Sequence, residues 1–232
     1  MNPTTLLAID TATESCSAAL LCGDGLIERS EFAPRRHAEL ILPMIESLLA
    51  EAGISRRQLN GIAVGRGPGA FTGVRLAISV AQGLALGLDI PVVPVSSLAA
   101  LALDAPADAA AVLAVIDARM GEVYAGAFRR SADGLVEAIA DETVGPASAL
   151  ILPQSNQWYV VGSGWDAYRD ALAARLPASP RWADGARYPQ ARAVARLAAP
   201  QFAAGRGVAP EFALPVYLRD KVALTLEEQR AR

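Results

Sequence analysis

Apolar residues in the first hundred positions gather in short runs divided by turn residues, then in longer runs with helical spacing. Leu6 to Asp10, Cys16 to Cys22 and Leu26 to Phe32 read as three strands, separated by Thr11-Ala12-Thr13-Glu14 and Gly23-Asp24-Gly25. Asp-Gly between two such runs is a hairpin signal. A helix is predicted over about Ala38 to Ala52, closed by Gly53, because glycine takes the left-handed conformation that ends helices. The strand Gly61 to Gly65, a glycine-rich loop, the helix Thr72 to Gly87 and the strand Pro91 to Val95 follow. Ser96-Ser97 then caps a short helix, Leu98 to Leu103. The order is β-β-β-α-β-α.

Asp104-Ala105-Pro106-Ala107-Asp108 reads as a linker, and after it the pattern starts again. Ala111 to Asp117, Glu122 to Arg129 and Leu135 to Glu142 are a second run of three strands. Ile116-Asp117 repeats Ile9-Asp10 at a strand end, with the next strand resuming at the same spacing. Two halves that each open with a three-stranded meander predict two related α/β domains, 1–105 and 106–232. Further along, Trp158 to Gly164 reads as a strand, and Asp166 to Leu176 and Pro189 to Gly205 as helices. Pro215-Val216-Tyr217-Leu218-Arg219 is a short extended tail that could pack back on the first domain, and Leu224 to Arg232 a last helical turn or two.

Candidate chemistry centres on Gly65-Arg66-Gly67-Pro68-Gly69-Ala70-Phe71-Thr72-Gly73-Val74-Arg75. A glycine loop leading into a helix N-terminus suits an anion. No Gly-Lys-[Ser/Thr] follows, and the chain's only lysine is Lys221, so this is not the Walker A loop. Asp10, Thr11 and Thr13 at the first strand end suit a Mg²⁺–phosphate group. They equally suit plain closure of the turn by side-chain bonds to the backbone, the preferred reading of these residues alone. Candidate nucleotide or anion contacts are therefore Asp10, Thr11, Thr13, Gly67 and Gly69. His37 is the only histidine, which removes paired-histidine metal motifs. No Gly-x-Ser-x-Gly elbow is present for a hydrolase triad. His37, just before a helix, is read as a capping or partner-contacting residue.

Composition narrows the picture further. The chain is 53% hydrophobic and 19% charged, as expected of an ordered globule. No uninterrupted apolar window reaches the ~18 residues of a membrane span, and the first residues lack the basic start of an export signal. Cys16 and Cys22 lie six residues apart on one predicted strand. At ~3.3 Å per residue they are about 20 Å apart, beyond disulfide reach, and are read as small core residues. A net charge of −3 argues against a large nucleic-acid surface. The charge is uneven, however: from Arg181 onward there are 9 basic and 5 acidic residues.

Both helices of the first half carry more apolar surface than a ~100° stripe needs. On the first these residues include Leu40, Ile41, Met44, Ile45 and Leu48; on the second, Leu76, Val80 and Leu84 flank small residues at every fourth position, Gly73, Ala77, Ala81 and Ala85. Small residues on one line admit a close neighbouring helix, and a subunit interface is expected, including His37 and Thr72.

Ile9-Asp10-Thr11-Ala12-Thr13, Arg36-His37-Ala38-Glu39 and the Gly65–Arg75 string closely resemble the TsaB (YeaZ) family of bacterial tRNA threonylcarbamoyladenosine biosynthesis proteins. The resemblance spans the chain and is densest over residues 1–100. It implies an actin-like ATPase fold, a cytoplasmic location and a non-catalytic role without cofactor or membrane contact. It implies partnership with a larger homologue, TsaD, which carries the metal-binding histidines, and with the ATPase TsaE. Together these pass threonylcarbamoyl from threonylcarbamoyl-AMP to N6 of the adenosine 3′ of the anticodon, so that tRNA is met through the complex. The partner would dock on the two helices just described, which would also pair two copies of this chain when the partner is absent. Two rival readings are an independent small actin-like ATPase or kinase and a peptidase; no nucleophile–base pair supports the latter.

Overall fold

The computed structural model of the chain describes residues 4–219. Strands β1 (Thr5–Asp10), β2 (Ser15–Cys22) and β3 (Gly25–Phe32) form the expected antiparallel meander. Strands β4 (Gly61–Gly65) and β5 (Val92–Val95) extend it in parallel, in the order β3-β2-β1-β4-β5. Every residue of β1 and β4 is buried, because helices cover both faces of the sheet. Helices α1 (His37–Glu51) and α2 (Phe71–Leu88) pack on one face. The other face carries α6 (Ala191–Ala203), which packs on α3 (Ser97–Leu103).

The second sheet combines β6 (Ala111–Arg119), β7 (Glu122–Arg130), β8 (Val136–Ala138), β10 (Tyr159–Val161) and β11 (Trp182–Asp184). Read from its antiparallel edge, the order is β8-β7-β6-β10-β11, the topology of the first sheet repeated. The two-domain, actin-like architecture rests on this duplication. Between the sheets lies one continuous core. Ala8, Ala63 and Val93 of the first sheet, Val112, Ala114 and Phe128 of the second, and the buried faces of α3 and α6 share it. Trp158, Trp165 and Leu172 cover the outer face of the second sheet.

Several expectations need correction. The predicted strand Leu135 to Glu142 is cut short: β8 ends at Ala138, and a separate strand beyond the predicted range, β9 (Thr143–Pro146), pairs with the other end of the same long β7. Between them the chain turns out far enough for Glu142 to accept a hydrogen bond from Ser96. The predicted strand Trp158 to Gly164 stops at Val161 because Gly162, at φ 110°, turns the chain into α4 (Ser163–Ala167). The helix expected over Asp166 to Leu176 is broken at Tyr168, which separates α4 from α5 (Arg169–Ala173). Its hydroxyl instead donates to Asp117 Oδ1 at 3.0 Å. Residues 106–232 were expected to form the second domain, with a tail that could pack back on the first; α6 and the Val92–Val208 bridge lie on the first sheet. The helix expected at Leu224 to Arg232 lies outside the described residues. Finally, α2 is by length and composition alone apolar enough to cross a membrane, although Arg75 and Gln82 interrupt its apolar run; here one face of it, from Gly73 to Ala85, is buried on the sheet.

Two glycines of α2 allow a matched test. A Cβ on Gly73 would sit 2.0 Å from the Thr11 carbonyl oxygen, whereas one on Gly83 meets nothing within 4 Å. Gly73→Ala is expected to destabilise the chain by about 2–4 kcal/mol through forced displacement of the turn. Gly83→Ala should stabilise it by about 1 kcal/mol, the helix-propensity difference. Urea unfolding of both variants checks the pair.

Candidate functional site

The end of β1, the turn that follows it and the glycine loop are pressed together. Ala70 N donates to Ala12 O at 2.7 Å, and Thr11 Oγ1 donates to Gly73 O at 2.6 Å. A Cβ on Gly69 would lie 2.2 Å from Ala12 O. The glycines of the loop therefore admit the chain's own turn. Ser97 N donates to Gly67 O at 2.9 Å, tying the loop to the start of α3 as well. His37 contributes from α1, its Nε2 lying 2.8 Å from Thr13 O, so its ring is engaged within the chain.

Asp10 and Thr11 are fully buried. Asp10 Oδ1 accepts from Ala12 N at 2.8 Å and Oδ2 from Ser97 Oγ at 2.9 Å. Gly65 lies so close that a Cβ there would fall 2.0 Å from Oδ2. Burial pushes the carboxyl up to about 6, against the opposing pull of the Ala12 and Ser97 hydrogen bonds. Asp10 and Thr11 thus close the turn from within.

Beyond them a cavity of about 250 Å³ opens between the two sheets, bounded by Thr13, Gly69, Asp117, Arg119, Tyr124 and the tail from Val216. Of the five nucleotide candidates, Thr13 and Gly69 reach this cleft; Asp10, Thr11 and Gly67 do not. Arg119 joins the domains across it, pairing with Asp117 at 2.8 Å and with Glu14 at 2.7 Å, which leaves its charge already matched. Among the described residues no group of three His, Cys, Asp or Glu side chains is placed to hold a metal.

The helix faces divide differently from the expectation. Ile41, Ile45, Leu48, Gly73, Ala77, Ala81 and Ala85 are buried against the chain's own sheet. The small-residue stripe therefore serves close packing inside the subunit, because Gly73 must clear the β1–β2 turn. Leu40, Met44, Val80 and Leu84 are half-buried at the edge of this core. Leu76 is also half-buried, and Thr72 is exposed. Leu42, at 49% exposure, and Leu86, at 73%, project from the same two helices. The tail expected to pack back on the first domain does so through Tyr217, bonded to Arg75, and also reaches the second through Arg219, bonded to Ala118 O.

A family model described as "TsaD: tRNA N6-adenosine threonylcarbamoyltransferase" matches residues 29–225. The tRNA threonylcarbamoyladenosine biosynthesis protein TsaB of Escherichia coli is 43% identical, the match covering 94% of this chain and 96% of that one. Its counterpart in Haemophilus influenzae is 38% identical, with 96% of each chain covered. The chain belongs to the TsaB family. A solved structure described as YeaZ from Pseudomonas aeruginosa superposes with a TM-score of 0.86 at 44% identity, covering 93% of this chain and all of that one. The glycine loop and the Asp10 turn of this TsaB-family chain are thus parts of a shared fold, here closed upon each other.

Burial of the Asp10 carboxyl has a measurable consequence. Its folded value of about 6 lies above the ordinary 3.8, so the folded chain retains a proton that the unfolded chain has released. The associated stability is present below about pH 4 and is lost as pH rises through about 6. Asp10→Asn keeps the side chain neutral and able to meet Ala12 N and Ser97 Oγ. Between pH 4 and pH 7 the stability difference should move in favour of the variant by about 2–3 kcal/mol. Denaturant unfolding of both proteins at the two pH values measures it; a constant difference would contradict the assignment.

Proposed function

We propose that this chain is a non-catalytic subunit of the system that makes threonylcarbamoyladenosine in tRNA. It would act in the cytoplasm with a TsaD homologue and the ATPase TsaE, and meet tRNA through that assembly. In this reading the threonylcarbamoyl group passes from threonylcarbamoyl-AMP to N6 of the adenosine 3′ of the anticodon on the TsaD homologue. Family membership supports the pathway. The observation that carries the non-catalytic part is the sealing of Asp10: the acidic residue best placed to organise phosphate chemistry is buried beneath Gly65 and bonded to Ala12 and Ser97. A single histidine in the whole chain supports it too.

In this proposal the docking face is the outward side of α1 and α2, with Leu40, Leu42 and Met44 on one helix and Leu76, Val80, Leu84 and Leu86 on the other. Apolar side chains left half-exposed on two neighbouring helices suit a partner's helices. The same face would support a homodimer when the partner is absent.

Unmodified tRNA incubated with the TsaD and TsaE homologues should be modified only when this chain is added, and the chain alone should be inert. Full modification without it would return the reading to an independent ATPase. Docking is tested by a neighbouring pair of substitutions. Leu76→Glu should abolish co-elution with the TsaD homologue in gel filtration while leaving the monomer's circular dichroism unchanged. Ala77→Glu should instead unfold the chain, because Ala77 is fully buried and an unpaired buried charge costs several kcal/mol.

A further inference from the structure

The last described stretch of chain, residues 213–219, crosses from one domain to the other. On the first domain, Ala213 O accepts from Gln82 Nε2 at 3.2 Å, and Val216 N donates to Arg66 O at 2.9 Å. Tyr217 Oη accepts from Arg75 Nε at 2.6 Å. The Arg75 guanidinium lies 3.6 Å from the centre of the Phe71 ring and 5.4 Å from that of Tyr217, a cation stacked on one ring and bonded to the hydroxyl of the other. On the second domain, Arg219 donates to Ala118 O at 3.0 Å, pairs with Glu122 and lies 6.0 Å from the Tyr124 ring centre.

Between these anchors Val216 and Leu218 line two cavities at once. One is the cleft of about 250 Å³ bounded by Thr13, Gly69 and Arg119; the other, about 560 Å³, lies on the side of Arg66 and Glu142. The segment is the wall between them.

We propose that residues 213–219 form an interdomain strap, a length of chain that occupies the cleft, divides it into two cavities and holds the two sheets at one separation. The strap goes beyond the docking role, since none of its anchors lies among the apolar residues proposed for the partner. Its grip is polar at both ends: a charge pair and a carbonyl contact on the second domain, a backbone bond and a shared cation on the first. Past Ala213, which is buried in the first domain's core, such anchors release without exposing a core. With the strap released, the two cavities would join into one cleft in the ~300–1,000 Å³ range of small-molecule sites.

Hydrogen exchange of the full chain tests this. Val216 and Ala70 report on the first domain through their bonds to Arg66 O and Ala12 O, and Arg119 and Gly121 report on the second through Asp117 and Tyr168. In the double variant Tyr217→Ala/Arg219→Ala, exchange at all four amides should rise by roughly tenfold or more while the strands β1 and β6 stay protected. Exchange that rises at Val216 alone would overturn the strap, leaving a tail that merely rides on the first domain. Unchanged exchange everywhere would overturn it too. Should the double variant fail to fold, Glu122→Gln removes only the second-domain charge. It should then raise exchange at Val216, across the cleft from the substituted residue, and a rise confined to Arg119 and Gly121 would refute the coupling.

Discussion

The contact between the glycine loop and the β1–β2 turn organises the first domain. Without a Cβ at Gly69 and Gly73, the start of α2 rests directly on the backbone of Thr11 and Ala12. That contact sets the height of α2 above the sheet. It also turns the Gly73–Ala85 stripe inward, leaving Leu76 half-buried and Leu86 at the outer surface. The same closeness shuts the space in which Asp10 would otherwise face solvent. A loop with the composition of an anion cradle is here a packing device, because the groups that approach the glycines are carbonyl oxygens of the same chain.

The elements of the first domain were legible because each carries its own boundary signal. Gly23-Asp24 closes the β2–β3 hairpin, Ser96 Oγ accepts from Ala99 N at the start of α3, and β4 runs over the expected Gly61–Gly65. The second domain was less legible because its boundaries come from tertiary partners. Tyr168 leaves helical geometry to reach Asp117, and Glu142 leaves the β7 edge to reach Ser96; neither demand is visible in local periodicity. The site was readable in part. Sequence spacing located Asp10, Thr11 and the glycines at the ends of two strands, but spacing carries no information about depth, and depth decided what they do. The strap was unreadable for a related reason. Arg219 and Glu122 are 97 positions apart, and a five-residue extended tail has no period long enough to detect.

Duplication also places two carboxylates in equivalent positions with different fates. Asp10 accepts from the backbone N–H two residues on, and Asp117 does the same with Arg119 N at 2.7 Å. In the first domain the acid is roofed by Gly65 and Ser97 and faces no cation within hydrogen-bond reach. In the second it meets the Arg119 guanidinium and the Tyr168 hydroxyl at the cleft wall. The same turn geometry thus encloses a buried carboxyl in one half and holds a cleft-facing, bridging one in the other.

The position of α6 bears on how the chain leaves the ribosome. Its residues, 191–203, supply the inner cover of a sheet whose strands are complete by residue 95. Ala8, Ala19 and Ala63 on that inner face have their apolar surface open to water until residues 191–203 have been made. The first domain therefore cannot finish folding as an autonomous N-terminal unit during synthesis, although its strands come first. Closure of the two halves around α6 waits on the synthesis of residues 191–203.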